Sequence, residues 1–204
     1  MKEWVLQAAE NLRQNDFEVV FVKTGEEARD YLNAHIESTK SVGTGGSVSV
    51  RNIGILPLLK EKGCTLHSHW FPKGEDPETI MKRAREADVY LCSVNAVTKS
   101  GKLVMIDGRG NRVGAICDGP KEVYFVVSEN KVVDGGIDAA IARIKKEAVP
   151  PNCRRLGLKT PCAETGKCGG KNCKDPSCRL TVVVDAVPRL RKMTVIFTEE
   201  KLGF

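Results

Sequence analysis

The sequence predicts an α/β protein with an open, mostly parallel sheet covered by helices, and a small cysteine-rich appendage near its C-terminus. Short apolar runs rich in β-branched and aromatic residues alternate with segments of helical periodicity over the first 150 residues. This alternation is typical of βαβ units, in which helices cover both faces of the sheet. Five of the eight cysteines then fall within residues 151–180, where lysine, arginine and glycine replace the apolar pattern.

The chain begins with a helix, a strand and a second helix. Apolar residues recur at helical spacing over residues 4–12, and residues 17–22 form a short β-prone run. Thr24 begins the second helix with a capping box, because Glu27 lies three residues further on. A strand then leads into a glycine-rich turn, and the helix after that turn is expected to break or restart at Pro57.

The rest of the main domain repeats this alternation. The further elements expected are strands at residues 64–70, 88–94 and 123–127 and helices at residues 77–87 and 137–149. Residues 103–106 and 113–116 are expected to form a hairpin, because the Asp-Gly and Gly-Asn pairs between them favour a turn.

Three segments are expected along the chain. Residues 1–150 form the α/β domain, residues 151–180 form a cysteine-rich metal-binding segment, and residues 181–204 supply C-terminal strands that pack back on the main domain. The first boundary is expected at Pro150 and Pro151, because proline is unfavourable in a continuing helix.

The charge distribution and the lack of long apolar runs limit the class of protein. Residues 1–151 contain 21 basic and 21 acidic residues, so the net charge of +6 comes from residues 152–204, with 11 basic and 5 acidic. A neutral main domain has no electrostatic footprint for nucleic acid, and no apolar run approaches the roughly 20 residues that span a bilayer. The first 12 residues also lack the pattern of a signal peptide. We therefore expect a cytoplasmic protein with neither nucleic acid nor membrane as a partner.

The first candidate site is the glycine turn, which consists of Gly43, Thr44, Gly45, Gly46 and Ser47. Small residues between a strand and a helix let the backbone approach an anion, while the first amides of the helix remain free to donate. The same glycines also suit a tight turn with positive φ angles. The turn matches neither GxGxxG nor GxxxxGK[ST], so the sequence predicts no nucleotide cofactor. We expect a small anionic metabolite to bind here.

A second group of candidates follows the buried strand DVYLCSV. Asn95 comes directly after that strand, at the end of the sheet where open α/β proteins bind ligands. The DGRGNR stretch adds Asp107, Gly110, Asn111 and Arg112, whose carboxylate, amide and guanidinium groups can orient a small anion. A polar hairpin turn explains the same residues, and the sequence leaves both interpretations open.

Two stretches of the chain resemble a known family. They are VGTGGSVSVRNIGILPLL and ADVYLCSVNAVTKSGKLVMIDGRGNRVGAICDGPKEVYFVV, and they are similar to the lactate-utilisation (LUD) domain family of the LutC/YkgG type. More distantly, they resemble the NagB/RpiA/CoA-transferase-like superfamily. The resemblance implies an open sheet of that type, with a ligand crevice near the glycine turn and the GNR segment. It also implies a part in the oxidation of lactate or related organic acids, alongside iron–sulfur oxidoreductase subunits as partners.

The resemblance leaves the chemistry of the chain open. Superfamily enzymes commonly rely on a carboxylate, and the nearest candidates for a catalytic carboxylate are Asp107 and Asp118. One alternative function is a non-catalytic redox or metal-sensing accessory subunit. Another is a sugar-phosphate isomerase or an acyl-CoA enzyme of the same superfamily. The substrate and the oligomeric state do not follow from the sequence.

The third candidate site is formed by cysteines. Cys162, Cys168, Cys173 and Cys178 occur within 17 residues, and Cys153 is a fifth candidate nine residues upstream. Four thiolates complete a zinc site or hold an iron–sulfur (Fe–S) cluster, and the neighbouring basic residues are expected to lower the thiol pKa values. The spacing fits neither the CxxC pairs of zinc ribbons nor the CxxCxxCxxxC run of ferredoxins, so Zn, an Fe–S cluster and redox-active thiols all stay open. The TPCxxTGKC stretch resembles a segment of one LUD subtype.

The other cysteines and the histidines are interpreted as structural. Cys64, Cys92 and Cys117 each lie in or beside an apolar strand, where a free cysteine behaves as a small hydrophobic residue. His67 and His69 point to one face of their strand, but a pair without a further ligand is not expected to bind a metal.

Overall fold

The computed structural model describes residues 1–68, 70 and 74–204. Its helices are α1 (Glu3–Gln14), α2 (Gly25–His35), α3 (Val48–Asn52), α4 (Ile55–Lys62), α5 (Pro77–Glu86), α6 (Asn111–Asp118), α7 (Ile137–Arg143), α8 (Val149–Arg155) and α9 (Pro161–Thr165). Its strands are β1 (Glu18–Val22), β2 (Ser41–Thr44), β3 (Thr65–Ser68), β4 (Val89–Cys92), β5 (Ala96–Thr98), β6 (Leu103–Asp107), β7 (Glu122–Ser128), β8 (Val132–Val133), β9 (Leu180–Val184) and β10 (Lys192–Thr198).

The main sheet of the described chain has six strands in the order β1-β10-β7-β4-β2-β3, and each neighbouring pair is parallel. This confirms the predicted α/β class. The last strand, β10, lies between β1 and β7 rather than at an edge. The final segment of the chain is therefore part of the main sheet.

Both faces of the main sheet are buried, as the central strand β7 shows. Val123, Phe125 and Val127 point into one core, which also contains apolar residues of α1 and α6. Tyr124 and Val126 point into the opposite core, with residues of α2 and α4. Successive side chains of a strand point to opposite faces of the sheet. Both sets are apolar here because helices cover both faces, as is usual for a parallel sheet.

A second sheet, which the sequence did not predict, has the order β8-β5-β6-β9 in the described residues. β6 pairs antiparallel with both β5 and β9. The expected hairpin between residues 103–106 and 113–116 is wrong, because residues 113–116 belong to helix α6. Asp107 explains the difference, since its Oδ2 atom accepts a hydrogen bond from the Val113 amide and so caps the helix.

The expected proline interruptions are shifted or absent. The helix after the glycine turn breaks at Gly54, which has a φ of 69°, and Pro57 lies in the first turn of α4. A proline is tolerated there because the first amides of a helix have no intrahelical acceptor. Pro150 and Pro151 lie at the start of α8, which continues directly from α7 through a π-helical turn at residues 144–148. No helix in the described ranges is long and apolar enough to cross a membrane.

Replacement of Gly43 by alanine should destabilise the protein. Gly43 lies in β2, and a Cβ atom there would overlap the backbone of Ala84 in α5. Because the Ala84 atoms that it meets are main chain, the helix must move away from the sheet, and we expect a loss of about 2 kcal/mol or more in the free energy of unfolding. Urea denaturation measures this loss. Gly136→Ala is the matched control, because a Cβ atom there meets nothing within 4 Å; equal stabilities of the two variants would contradict the packing role.

Candidate functional site

A crevice of about 740 Å³ opens beyond the carboxyl ends of β2 and β4. This is the position at which open α/β sheets bind ligands, and the volume is within the usual range for small-molecule sites. Its lining includes Gly45, Gly46, Ser47, Ser49, Tyr90, Ser93, Asn95, Asp107, Arg109, Asn111, Arg112, Lys131, Arg155, Cys178 and Arg179.

The second half of the glycine turn lies in the crevice. Gly45 needs to be small, because a Cβ atom there would lie 3.0 Å from the Tyr90 hydroxyl and 3.1 Å from the amide nitrogen of Asn111. The absence of a side chain thus brings the main chain close to two polar groups of the crevice. Gly46 and Ser47 complete this wall.

The other residues of the turn have structural contacts. Gly43 and Thr44 lie in β2, where the Thr44 hydroxyl donates to the carbonyl oxygen of Leu91 at 2.8 Å. Ser47 caps α3 by accepting a hydrogen bond from the Val50 amide. Because α3 is only five residues long, its dipole contributes little at this site.

Arg112 and Asp107 form an ion pair at one side of the crevice. Arg112 also donates from Nη2 to Asn95 Oδ1 at 2.7 Å and from Nη1 to the carbonyl oxygen of Ser93 at 3.0 Å. Asp107 is buried, and its second oxygen caps α6 through Val113. Both side chains therefore already have protein partners, and their main effect is to hold the crevice wall in shape.

The remaining sequence candidates take different positions. Asn95 accepts from the Ile106 amide as well as from Arg112, so its side-chain oxygen is fully used. Gly110 precedes α6 in the left-handed region, with a φ of 81°. Asp118 lies at the opposite end of α6, with a fully exposed side chain 3.7 Å from Arg191, and it does not contribute to the lining of the crevice.

Lys131, which the sequence analysis did not single out, is the buried cation of the crevice. Its side chain is 2 % exposed, and Nζ donates to Ser49 Oγ at 2.8 Å and to Ser93 Oγ at 3.0 Å. The two hydroxyls donate onward to the carbonyl oxygens of Leu202 and Val94, so they act as acceptors toward the lysine. An ammonium group can donate three hydrogen bonds, and in the described residues two of them have acceptors, Ser49 and Ser93.

No carboxylate of the described chain forms an ion pair with Lys131. The charged groups that act on it are Arg143 and Arg112, and both are cations. Burial and this repulsion lower the pKa of Lys131 from its ordinary value of 10.5 to about 7. A buried lysine without an acidic partner, in a crevice, is a physical sign of a functional group.

Lys131 lies in a short 3₁₀ turn of sequence ENK between β7 and β8. This short polar sequence matches no functional motif. The sequence signal for Lys131 is its position three residues after the end of β7, a strand whose sequence is strongly apolar. A polar residue at the carboxyl end of a central parallel strand faces the ligand crevice.

The five C-terminal cysteines line a second, smaller cavity of about 250 Å³. Cys153 and Cys162 are buried, Cys173 and Cys178 are partly exposed, and Cys168 is exposed. Thr160 caps the start of α9, and its Oγ1 atom lies 3.3 Å from the Cys162 sulfur. No three His, Cys, Asp or Glu side chains of the described residues are arranged to hold a single metal ion.

The expectation that basic neighbours lower the thiol pKa values is wrong for two of these cysteines. Burial and, to a smaller extent, the nearby thiols raise the pKa of the Cys178 thiol to about 11, whereas Lys145 has a smaller opposite effect. Burial likewise raises the pKa of Cys153. In the absence of a metal, both groups are therefore neutral thiols at pH 7.

The other cysteines and histidines lie elsewhere. Cys64 and Cys92 are buried, as expected, and Cys117 is exposed on α6. Burial lowers the pKa of His67 in β3, and His69 lies outside the described residues.

The fold and the crevice define an open-sheet α/β protein with a crevice at the carboxyl ends of its strands. The family model of the LUD domain matches residues 5–198, and the chain belongs to the LUD domain family. No curated protein matches the chain. Among solved structures it is similar to a DUF162 family protein from Deinococcus radiodurans, with a TM-score of 0.57 and 13% identity over 96% of both chains, which shows the fold. Family membership suggests a role related to lactate utilisation.

The buried position of Lys131 predicts a pH-dependent stability difference. Its folded pKa of about 7 lies below its ordinary value of 10.5, so between these pH values the unfolded chain binds more protons and stability rises with pH. The free energy of unfolding of the wild type should gain up to about 1.4 kcal/mol per pH unit relative to Lys131→Met over this range.

Urea denaturation of both proteins under reducing conditions at several values between pH 7 and pH 10 measures this difference. The exposed Lys60→Met variant serves as the control, because it should follow the wild type. Parallel curves for the wild type and Lys131→Met would show that Lys131 is an ordinary lysine.

Proposed function

We propose that this protein binds the carboxylate of a small organic acid in the crevice and takes part in the oxidation of lactate or a related acid. The observation that carries the proposal is Lys131, a buried cation with two serine acceptors and no carboxylate partner among the residues that the structure describes. An organic-acid anion supplies the missing negative charge. A hydrogen bond between two ionised groups in a partly buried site is worth more than a neutral one, about 1.5–3 kcal/mol.

The rest of the crevice supports an anion of this kind. Arg112 and Arg143 are cations that act on Lys131, while Gly45 gives the ligand access to the main chain. The Tyr90 hydroxyl and the Asn111 amide are polar groups next to that access point. They are suited to a hydroxyl or a second oxygen of a hydroxy acid.

A phosphorylated or acyl-CoA ligand is the second candidate, and the outer part of the crevice favours it. Arg109, Arg155 and Arg179 line this part, and arginine is well suited to phosphate. An isomerase of this superfamily also requires an available carboxylate. Both oxygens of Asp107 are engaged with Arg112 and Val113, so Asp107 is not available as a catalytic carboxylate. Anion binding by Lys131 is therefore the better supported function.

The partners implied by the family resemblance are iron–sulfur oxidoreductase subunits, and we include them in the proposal. In that arrangement the crevice presents the organic acid, and the oxidoreductase accepts electrons from it. An accessory subunit without a metabolite site would lack specific anion binding, which distinguishes the two functions.

Isothermal titration calorimetry tests the anion site directly. Lactate, glycolate, a sugar phosphate and CoA are titrated into the wild type at pH 6.5, and we expect a small hydroxy acid to bind. Lys131→Met should weaken this binding by about 10-fold to 100-fold, which corresponds to the loss of one charged hydrogen bond. Lys60→Met should bind like the wild type. Equal affinities of the wild type and Lys131→Met, or no binding of any of these anions, would contradict the proposal.

The affinity should also decrease as the pH rises. Only the protonated amine of Lys131 attracts an anion, and its pKa is about 7. Above that pH, and up to the higher pKa that Lys131 has in the complex, the dissociation constant should increase by up to about tenfold per pH unit. Calorimetry at pH 6, 7, 8 and 9 measures this dependence. An affinity that stays constant over this range would exclude Lys131 as the binding cation.

A further inference from the structure

We infer that Cys153, Cys162, Cys168 and Cys178 are the ligands of an iron–sulfur cluster held in the smaller cavity, which we call the thiol cavity. All four cysteines line this cavity together with Cys173. The inference does not depend on the proposed anion site, since a different set of residues carries it.

The chain brings these cysteines together from three separate elements. Cys153 lies on α8, and Cys162 lies in the first turn of α9. The loop that follows α9 carries the others, and its direction changes at Gly166 and Gly170, which have positive φ angles of 75° and 52°. The loop is packed back on α9, because a Cβ atom at Gly169 would lie 2.9 Å from the Pro161 ring.

The size of the cavity favours a cluster over a single ion. Zinc–sulfur bonds of about 2.3 Å bring four tetrahedral thiolates to within roughly 3.8 Å of one another, which leaves room for one ion only. A volume of about 250 Å³ is several times the roughly 30 Å³ that one water occupies in the liquid. A cluster of several iron and sulfide ions uses this volume while its thiolates stay further apart.

The arrangement also selects four of the five cysteines. The thiols that act electrostatically on Cys178 are those of Cys153, Cys162 and Cys168. Cys153 in turn lies beside Cys162. The sequence spacing placed Cys173 in the set and left Cys153 as an addition, and the set proposed here exchanges the two.

The surroundings suit the negative charge of a thiolate-bound cluster. The four thiols release their protons to solvent when they bind iron. Lys145 lines the cavity, and residues 152–204 carry an excess of basic over acidic side chains. The opposite charge of these groups favours the anionic cluster.

The thiol cavity also shares a wall with the crevice. Val149, Pro176, Ser177 and Cys178 line both. A cluster bound through Cys178 therefore lies directly beside the ligand crevice, and its assignment as a redox neighbour of a bound organic acid rests on the function proposed above.

Anaerobic purification of the full chain from cells supplied with iron tests the cluster. We expect equal amounts of iron and acid-labile sulfide, a broad visible absorption, and an electron paramagnetic resonance signal after reduction. Single serine variants at Cys153, Cys162, Cys168 and Cys178 should lose most of the iron. Cys173→Ser and the exposed Cys117→Ser should retain it.

Three outcomes would overturn the inference. They are a colourless protein with zinc and no iron, a protein that contains no metal, and retention of wild-type iron by the four variants predicted to lose it. Thermal unfolding of each variant separates ligand loss from misfolding, and exposed Cys168 is the variant least expected to disturb packing. Lys131→Met should keep its iron while losing anion binding, so failure of one proposal is distinguishable from failure of the other.

Discussion

The buried ion pair between Asp107 and Arg112 is the interaction on which the arrangement of this protein depends. Asp107 ends β6 and caps α6, while Arg112 reaches the end of β4 through the Ser93 carbonyl and the Asn95 side chain. The carbonyl oxygen of Asp107 also accepts from the Arg179 amide at the start of β9. One pair thus connects the main sheet, the second sheet and the cysteine segment. Removing Arg112 would leave the buried Asp107 carboxylate without its cation, which costs about 3–5 kcal/mol.

This connection explains why the two cavities are neighbours. The cysteine segment ends at Cys178, and the next residues pair with β6 beside Asp107. The segment is consequently fixed against the crevice rather than attached by a free linker. A close approach of Gly108 to the Ser177 carbonyl, where a Cβ atom would lie 3.0 Å away, has the same effect. The sequence boundary at residue 150 marks a change of composition, but the described residues on its two sides pack together.

The sequence predicted most of the main sheet and part of the site, and each success and failure has a physical reason. Alternating apolar runs are a local signal, so the parallel strands were found. The helical state of residues 113–116 depends on a side-chain cap from Asp107, and the second sheet depends on pairing between β6 and the distant β9. Lys131 has no motif at all. Its importance comes from burial and from the cations near it, which only the folded chain brings together.

The protonation state of Lys131 is the most direct test of this account. Lysine labelled with ¹³C at the ε position gives a nuclear magnetic resonance signal that follows the charge of each amine, and the Lys131→Met variant identifies the signal of Lys131. We expect Lys131 to titrate near pH 7 in the free protein and at higher pH when an organic-acid anion is bound. A titration near the ordinary lysine value, unchanged by every anion tested, would contradict it.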